Sequence, residues 1–429
     1  MGFKRLERVN PVKIYSILRD ERYPFILESA EKDSRKARYT YISANPDFVV
    51  ETGGRGTYVD GESVSGEKNP FKSLRSFKID AEDRRFSGGF VGYISYDSVL
   101  QEIDEKVEKS SVFGHYSSFF VYDHFRNELI YRGNDAEWAE RVVRKARREN
   151  FENSDGGSDV VRTDADFDDF VRDVERAKEH VYAGDVFQIV ISRKYTLKTD
   201  MDPFQVYLNL RELNPSPYMF CLEFDTAIVG SSPETLASVF DGVLKVNPIA
   251  GTAKRGRNEE DDRMISEKLL SDEKERAEHL MLVDLARNDV RKVCKAGSVK
   301  VERFMDVLKY SHVMHIESEV TGVLEEGRDV YDAISACFPA GTLTGAPKIR
   351  AIELIDEIER SKRGVYGGAV GYFSRDADFA IAIRMAEIDG KKVTVRAGAG
   401  IVADSVPEKE FYETERKMGA VLQALGVVK

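Results

Sequence analysis

Three stretches between residues 364 and 402 decide the fold: GVYGGAVGYFS (364–374), FAIAIRMAEI (379–388) and KVTVRAGAGIV (392–402). Each is rich in β-branched or aromatic residues, and only a few residues separate one from the next, which predicts successive strands. Strands that follow one another without an intervening helix argue against a doubly wound sheet. The sequence therefore predicts an α+β protein built as a layered sandwich.

The region upstream of residue 146 shows the same strand pattern in shorter pieces. ARYTYISANP (37–46) and FSGGFVGYISYD (86–97) are bounded by turn residues, as short strands are. A charged and then Gly/Ser-rich segment follows, which is typical of a linker. We therefore predict an N-terminal region at 1–146, a linker at 147–160 and a second domain at 161–429.

Helical periodicity is clearest just after the predicted linker. Apolar residues recur at helical spacing from Phe167 to Val181, and Gly184 is positioned to end the helix before the strand VFQIVIS (186–192). Residues 258–292 are charged and helical in pattern, and so is PKIRAIELIDEIER (347–360).

Composition excludes several classes of protein. The 429 residues carry a net charge of −11, which argues against a nucleic acid or an anionic membrane as partner. Three cysteines without a CxxC pair suit a reducing compartment. No stretch is apolar enough for a leader or a membrane span, so we expect a cytoplasmic protein.

Two pairs of glutamates are candidate metal ligands. Glu275 and Glu278 lie three residues apart on one predicted helix, and Glu410 and Glu413 have the same spacing on another. This spacing puts both carboxylates of a pair on one helical face. Two such pairs facing each other would suit a hard cation such as Mg²⁺. The alternative is that both pairs decorate ordinary solvated helices.

Other residues indicate an anionic ligand. His315 could act as a general acid near neutral pH, whereas HxxH with His312 lacks the second pair that a zinc site needs. Arg384 lies in an apolar run and needs an anion, and Lys417 shares a helical face with Glu413. Glycine turns at 339–348 and 396–401 could offer backbone N–H groups to a carboxylate. From these residues we predict an enzyme that acts on a small polycarboxylate.

A series of motifs extends along nearly the whole chain. It includes AGDVFQIVIS (183–192), NPSPYMF (214–220), GSSPETL (230–236), PIAGTAKRG (248–256), ERAEHLMLVDLARND (275–289), FPAGTLTGAPK (338–348) and AGAGIVADSVPEKEFYET (397–414). In these motifs the chain resembles the chorismate-utilising enzymes, and most closely their anthranilate-forming members. The resemblance implies an α/β/β/α core with two β-sheets, formed by the chorismate-binding domain at 161–429, and a smaller N-terminal regulatory portion.

The same resemblance assigns roles to individual residues. It implies that Glu278 and Glu413 hold Mg²⁺ with Glu275 and Glu410 nearby, that His315 lies near the leaving hydroxyl, and that Glu234 and Thr342 are catalytic. The implied contacts to chorismate are Gly251, Thr252, Tyr366, Arg384, Gly398, Ala399, Gly400 and Lys417.

The implied reaction converts chorismate and ammonia to anthranilate and pyruvate, the first committed step of tryptophan biosynthesis. Ammonia would come from glutamine through a separate amidotransferase subunit, in a heterodimer or heterotetramer, because this chain shows no glutaminase nucleophile elbow. L-Tryptophan would inhibit the enzyme from a pocket that includes ILES (26–29) and RYTYI (38–42). The implied inhibitor contacts are Glu28, Ser29, Pro217, Tyr218 and Met219.

Two positions discriminate between related enzymes. Isochorismate and salicylate synthases carry a lysine base where this chain has Gln188, and a glutamine is not a general base. Aminodeoxychorismate synthases often carry a lysine where this chain has Ala250. Some lack it, so aminodeoxychorismate synthase component I remains the alternative. A catalytically silent tryptophan-binding regulator would lack a glutamate pair or His315, and all are present.

Overall fold

The computed structural model describes residues 2–29, 38–79, 86–99, 110–151, 156–309 and 313–427. Within these ranges the α-helices are α1 (Pro11–Leu18), α2 (Pro70–Arg75), α3 (Ala136–Arg148), α4 (Phe167–Ala183), α5 (Pro203–Leu213), α6 (Glu259–Ser271), α7 (Glu273–Arg291), α8 (Val330–Cys337), α9 (Lys348–Ile358) and α10 (Pro407–Ala424). None of these helices is long and apolar enough to span a bilayer.

The strands in the same ranges are β1 (Gly2–Leu6), β2 (Phe25–Glu28), β3 (Tyr39–Ser43), β4 (Phe48–Gly53), β5 (Gly56–Val59), β6 (Glu62–Ser65), β7 (Gly89–Ile94), β8 (Ser111–Tyr116), β9 (Phe119–Asp123), β10 (Glu128–Gly133), β11 (Ser158–Thr163), β12 (Gln188–Thr199), β13 (Tyr218–Glu223), β14 (Ala227–Ser232), β15 (Thr235–Phe240), β16 (Val243–Val246), β17 (Ile249–Lys254), β18 (Lys300–Lys309), β19 (Val313–Val323), β20 (Gly345–Ala346), β21 (Ala369–Phe373), β22 (Ala377–Ile381), β23 (Met385–Asp389) and β24 (Lys392–Ile401).

These strands form two antiparallel sheets. In the first sheet the order is β1-β10-β9-β3-β2-β13-β14-β23-β24-β12-β11, and β20 pairs with β12. In the second sheet the order is β17-β19-β16-β15-β22-β21-β7-β8-β4-β5-β6, and β18 pairs with β19. The two predicted regions share both sheets, because β2 pairs with β13 and β7 pairs with β21. The division at 147–160, of which residues 152–155 lie outside the described ranges, stays a prediction.

The predicted layering is confirmed. Helices α1, α3, α5 and α10 bury apolar side chains on the outer face of the first sheet, and α4 and α9 pack on its β12–β24 end. Helices α2, α7 and α8 cover the second sheet. Between the sheets lies an aromatic-rich core that includes Phe25, Val91, Phe220 and Tyr372. The order of layers is therefore α/β/β/α.

The helix predicted around 167–181 forms as α4, and Gly184 ends it in the left-handed conformation, with φ 81°. In contrast, the predicted helix at 258–292 is two helices. Asp272 interrupts it, because its side chain accepts hydrogen bonds from the backbone N–H groups of Lys274 and Glu275 and so caps the start of α7.

The single strand predicted at 379–388 is wrong. The chain leaves the second sheet after β22 and enters the first sheet at β23, and Arg384 lies in the crossover with φ 52°. The neighbouring chain segment does the same between β14 and β15, where Glu234 lies. The two crossovers are adjacent, since the Ile381 N–H donates to the Glu234 carbonyl at 3.0 Å. Glu234 and Arg384 therefore both lie at the seam between the sheets.

Candidate active site

A cavity of about 380 Å³ opens at this seam, and we call it the central cavity. Its wall combines segments that are distant in sequence: the two crossovers, α7, β19, the turn at Gly341–Leu343, β24 and α10. Most of the predicted site residues line it, namely Glu234, Glu275, Glu278, His315, Thr342, Tyr366, Arg384, Gly398, Gly400, Glu410, Glu413 and Lys417. Ala250 and Gln188 line it as well.

A few predicted residues lie elsewhere. Ala399 is fully buried in the apolar cluster beneath α4 and α9, because alternate residues of β24 face opposite sides. Gly251 is not part of the lining, but it contacts a residue that is, because its carbonyl accepts a hydrogen bond from His315. Thr252 pairs with His315 in the strand register, but its side chain lies outside what the structure describes, as does His312 altogether.

His315 is held in one orientation. Its Nδ1 donates to the Gly251 carbonyl oxygen at 3.0 Å, which leaves Nε2 as the acceptor in the neutral ring. Burial, opposed by this hydrogen bond and assisted by Arg384, lowers the pKa of the imidazole below its usual 6.5. The ring is therefore neutral at neutral pH.

Glu234 and Thr342 form a second contact in the cavity. The Thr342 hydroxyl donates to Glu234 Oε1 at 2.8 Å, joining the Gly341–Leu343 turn to the first crossover. Such a bond fixes the orientation of a carboxylate and stabilises its charged form. The arrangement is a carboxylate held ready to accept a proton or to bind a cationic group.

Two cationic side chains of the lining lie close to the glutamates and to each other. Lys417 Nζ lies 2.6 Å from Glu413 Oε1 and donates to the Gly398 carbonyl at 2.9 Å. Arg384 Nη1 donates to the Lys417 carbonyl at 3.0 Å, and burial lowers the pKa of its guanidinium. A lowered pKa here means that the cation is poorly solvated, so an anion bound beside it would be favoured.

The four glutamates fit a hard cation. Burial and then repulsion from Glu278 raise the pKa of Glu275, and burial and then Glu413 raise the pKa of Glu410. Within the described ranges no three Asp, Glu, His or Cys side chains lie close enough to ligate one ion by themselves. Mg²⁺ usually takes one or two carboxylates and completes its shell with water and substrate oxygens, so these carboxylate donors suit it.

A second cavity, the aromatic cavity, has a volume of about 420 Å³ and lies between the sheets. The predicted inhibitor contacts Glu28, Ser29, Pro217, Tyr218 and Met219 all line it, together with Tyr39, Tyr41, Phe240 and Tyr372. The Ser29 hydroxyl donates to the Pro217 carbonyl at 2.9 Å, joining two walls. The Glu28 carboxylate is already engaged, accepting hydrogen bonds from Tyr207 and Arg211.

Several lining residues were missed by the sequence analysis. Arg396 shares a face of β24 with Gly398 and Gly400 and lines the central cavity, a position that strand alternation could have identified. Lys274 precedes Glu278 by four residues on α7 and also lines the cavity, as helical spacing could have shown. Gln188 Nε2 donates to Glu278 Oε1 at 3.2 Å, a contact that no local pattern reveals.

Comparison with known proteins agrees with this geometry. Residues 23–423 match the family of chorismate binding enzymes. Over their full lengths, the chain is 62% identical to anthranilate synthase component 1 of Thermococcus kodakarensis, and it is 57% identical to that of Archaeoglobus fulgidus over 98% of this chain and 99% of the relative.

Among solved structures, anthranilate synthase component I of Streptococcus pneumoniae TIGR4 is 35% identical with a TM-score of 0.79, covering 91% of this chain and 93% of that one. The extent of the family match and the identities to full-length relatives are far beyond what a shared fold alone produces. The chain therefore belongs to the family of chorismate binding enzymes.

Proposed function

We propose that the chain is the synthase component of an anthranilate synthase. In this reaction ammonia forms a bond to C2 of chorismate as the C4 hydroxyl leaves, and elimination of pyruvate then makes the ring aromatic. The products are anthranilate, pyruvate and water. The observation that carries the proposal is the convergence of Glu234, His315, Thr342 and Arg384 on one cavity, in a chain 62% identical to a relative of that name.

Substrate binding would use the cationic side chains of the central cavity. Chorismate carries two carboxylates, and two cations of the lining lie together beside β24: Lys417 Nζ donates to the Gly398 carbonyl, and Arg384 Nη1 donates to the Lys417 carbonyl. Because Gly398 and Gly400 have no side chains, the space above their face of β24 stays open. A Cβ at Gly400 would lie 2.6 Å from Gln188 Nε2, so a side chain there would displace the Gln188 amide. Tyr366, whose pKa is raised to about 12 by burial, remains a neutral hydrogen-bond donor.

The carboxylates of the central cavity would hold Mg²⁺ through Glu278 and Glu413, with Glu275 and Glu410 beside them. When bound there, the ion would draw electron density from the ring carboxylate and so favour loss of the C4 hydroxyl. Without a cation, an anionic substrate would face four glutamates, of which Glu275 and Glu410 already have their pKa raised by burial and then by repulsion from neighbouring glutamates.

His315 would assist departure of the hydroxyl. The ring is neutral before substrate binds, and an anion placed beside it favours its protonated form. The protonated Nε2 could then donate a proton to the leaving oxygen. Glu234, oriented by Thr342, would accept the proton that is lost from C2 when pyruvate is eliminated and the ring becomes aromatic.

Ammonia would reach the cavity from glutamine through a separate amidotransferase subunit, so we propose a hetero-oligomer. Ala250 is small and lines the central cavity, which leaves room for free ammonia where a lysine would occupy the space. This feature favours anthranilate over the aminodeoxychorismate alternative.

The aromatic cavity would bind L-tryptophan as a feedback inhibitor. Its lining of tyrosines and phenylalanines suits an indole ring, and Ser29 offers a hydroxyl to the amino acid. Strands β2 and β3 supply one wall and β13 the other. This arrangement would give the N-terminal region 1–146 a regulatory role.

The test uses the purified chain with chorismate, Mg²⁺ and ammonium at mildly alkaline pH. We expect the blue fluorescence of anthranilate to appear without glutamine. If p-aminobenzoate forms only after a separate lyase is added, the aminodeoxychorismate alternative is correct. If tryptophan binds but chorismate is not consumed, both enzymatic proposals are wrong.

A further inference from the structure

A buried ion pair lies outside the central cavity. Lys348 Nζ donates to Asp289 Oδ2 at 2.6 Å, and each side chain is only 8% exposed. Lys348 Nζ also donates to the Cys337 carbonyl oxygen at 3.1 Å. The pair thus joins the C-terminal half of α7 to the end of α8 and the start of α9.

Local stability does not explain this lysine. Lys348 is the first residue of α9, and no side chain caps that helix. The backbone N–H groups at a helix start carry partial positive charge, which disfavours a cation there. Removing both charges from water also costs free energy that a buried pair often fails to recover. A role in fixing geometry is the more economical explanation.

Asp289 shares one face of α7 with residues of the central cavity. Glu278, Leu282, Leu285 and Asp289 follow one another at spacings of four and three residues, which aligns them along the helix. Glu278 and Leu282 line the central cavity. Leu282, Leu285 and Asp289 line an adjoining cavity of about 40 Å³, whose wall also contains Glu234 and Thr342.

The segment between α8 and α9 carries Thr342. Lys348 follows the segment directly and contacts Cys337 at its other end, so one ammonium group holds both ends. The middle of the segment is tightly packed on α7, since a Cβ added at Gly341 would lie 2.0 Å from Leu285 Cδ2. Thr342 in turn donates to Glu234.

We infer that Lys348 and Asp289 are positioning residues for catalysis, acting through the Gly341–Leu343 turn to hold Thr342 against Glu234. The inference rests on the proposed function, because it takes the Thr342–Glu234 contact to be part of the reaction. The pair fixes the distance between α7, which carries Glu278, and the turn that carries Thr342.

The first experiment replaces Lys348 by methionine, which keeps the length of the side chain but removes the charge. Asp289 retains Lys292, whose Nζ lies 2.8 Å from Oδ1, so it is not left without a cation. We expect kcat for ammonia-dependent anthranilate formation to fall up to about 100-fold, the cost of a misplacement near 1 Å, with KM for chorismate little changed. Lys348→Arg should recover most of the loss. Lys292→Met is the matched control and should leave kcat unchanged.

The second experiment combines Lys348→Met with Thr342→Val. If Lys348 acts through Thr342, the double variant should be no slower than Thr342→Val alone. Multiplicative losses in kcat, or equal losses from Lys292→Met, would overturn the inference. Asp289→Asn, which keeps the shape of the side chain, gives the same comparison if Lys348→Met does not fold. Absence of anthranilate from the unaltered chain would instead refute the proposed function.

Discussion

The central and aromatic cavities have similar volumes, about 380 and 420 Å³, but opposite chemistry. The first is lined by glutamates and by Lys274, Arg384, Arg396 and Lys417. The second is lined mainly by tyrosines, phenylalanines and aliphatic side chains between the sheets, with fewer charged residues, namely Glu28, Arg38, Lys245 and Asp378. Volume alone does not distinguish the two cavities, whereas the glutamates of the first and the aromatic rings of the second do.

The two cavities meet at consecutive residues. Glu234 faces the central cavity, and Thr235 lines the aromatic one. Tyr218, in the aromatic cavity, contacts Thr235 at 3.0 Å and donates to Asp378 at 2.9 Å. Variants on either side of this boundary should therefore separate turnover in the absence of tryptophan from inhibition by tryptophan.

The largest effect is expected from His315→Ala. Loss of a general acid typically slows a reaction by about 10²- to 10⁴-fold, and we expect that loss in kcat with little change in KM for chorismate. Steady-state kinetics with ammonium as the nitrogen source would measure both. Tryptophan binding, followed by calorimetry, should stay unchanged. Comparable losses in kcat and in chorismate affinity would contradict a role at the leaving group.

Arg384→Gln should act on binding instead. Hydrogen bonds to charged groups contribute about 1.5–3 kcal/mol, so KM for chorismate should rise by about 10- to 100-fold. The exposed Arg375 lies beyond β21 and provides a matched control as Arg375→Gln, with no expected change. An unchanged KM in the Arg384 variant would exclude it as a carboxylate ligand.

Ser29→Ala tests the aromatic cavity alone. A neutral hydrogen bond contributes about 0.5–1.5 kcal/mol, so the inhibition constant for tryptophan should rise about 2- to 12-fold. Ammonia-dependent kcat and KM should match the unaltered chain. Ser16→Ala on α1, whose hydroxyl bonds only to the Lys13 carbonyl in the described contacts, serves as control. Unchanged inhibition in the Ser29 variant would refute the inhibitor pocket.

The smallest effect is a shift in the pKa of His315. Burial lowers this pKa below 6.5 in the free chain, so the ring should lose its proton at a lower pH than an exposed histidine. Chorismate is anionic and should raise the pKa, whereas tryptophan in the aromatic cavity should leave it unchanged. NMR titration of histidine-labelled protein would measure both, with His315→Gln assigning the resonance. An equal shift with tryptophan would show that the charge of bound chorismate is not the cause.

Local sequence patterns correctly predicted features that depend on interactions between residues close together in the chain. Gly184 ends α4 because the left-handed conformation suits glycine, and the glutamate pairs lie on helical faces because of their spacing. The prediction of one continuous strand through Arg384 was wrong because the composition of AIAIRM is typical of a strand throughout and gives no sign of the break between β22 and β23. The change of sheet at this point depends on the pairing of β15 with β22 and of β14 with β23. Only the tertiary structure contains that information.

The candidate active site could likewise be predicted only in part from the sequence. Neither glutamate pair indicates by itself that the other faces it, and their roles were implied by the family resemblance. Nothing in the sequence pattern indicated a role for Lys348. A lysine at the start of a helix is expected to be solvated, and only the structure shows that Asp289 lies beside it. Contacts between residues 59 positions apart are not recoverable from periodicity.

The crossovers at Glu234 and Arg384 give the site an unusual mechanical character. Neither residue belongs to a sheet, and each lies between a strand of one sheet and a strand of the other, so the distance between the Glu234 carboxylate and the Arg384 guanidinium depends on the relative position of the two sheets. A small shear could leave every strand ladder intact and still misalign the chemistry. On heating, turnover should therefore fail before circular dichroism detects any loss of strands.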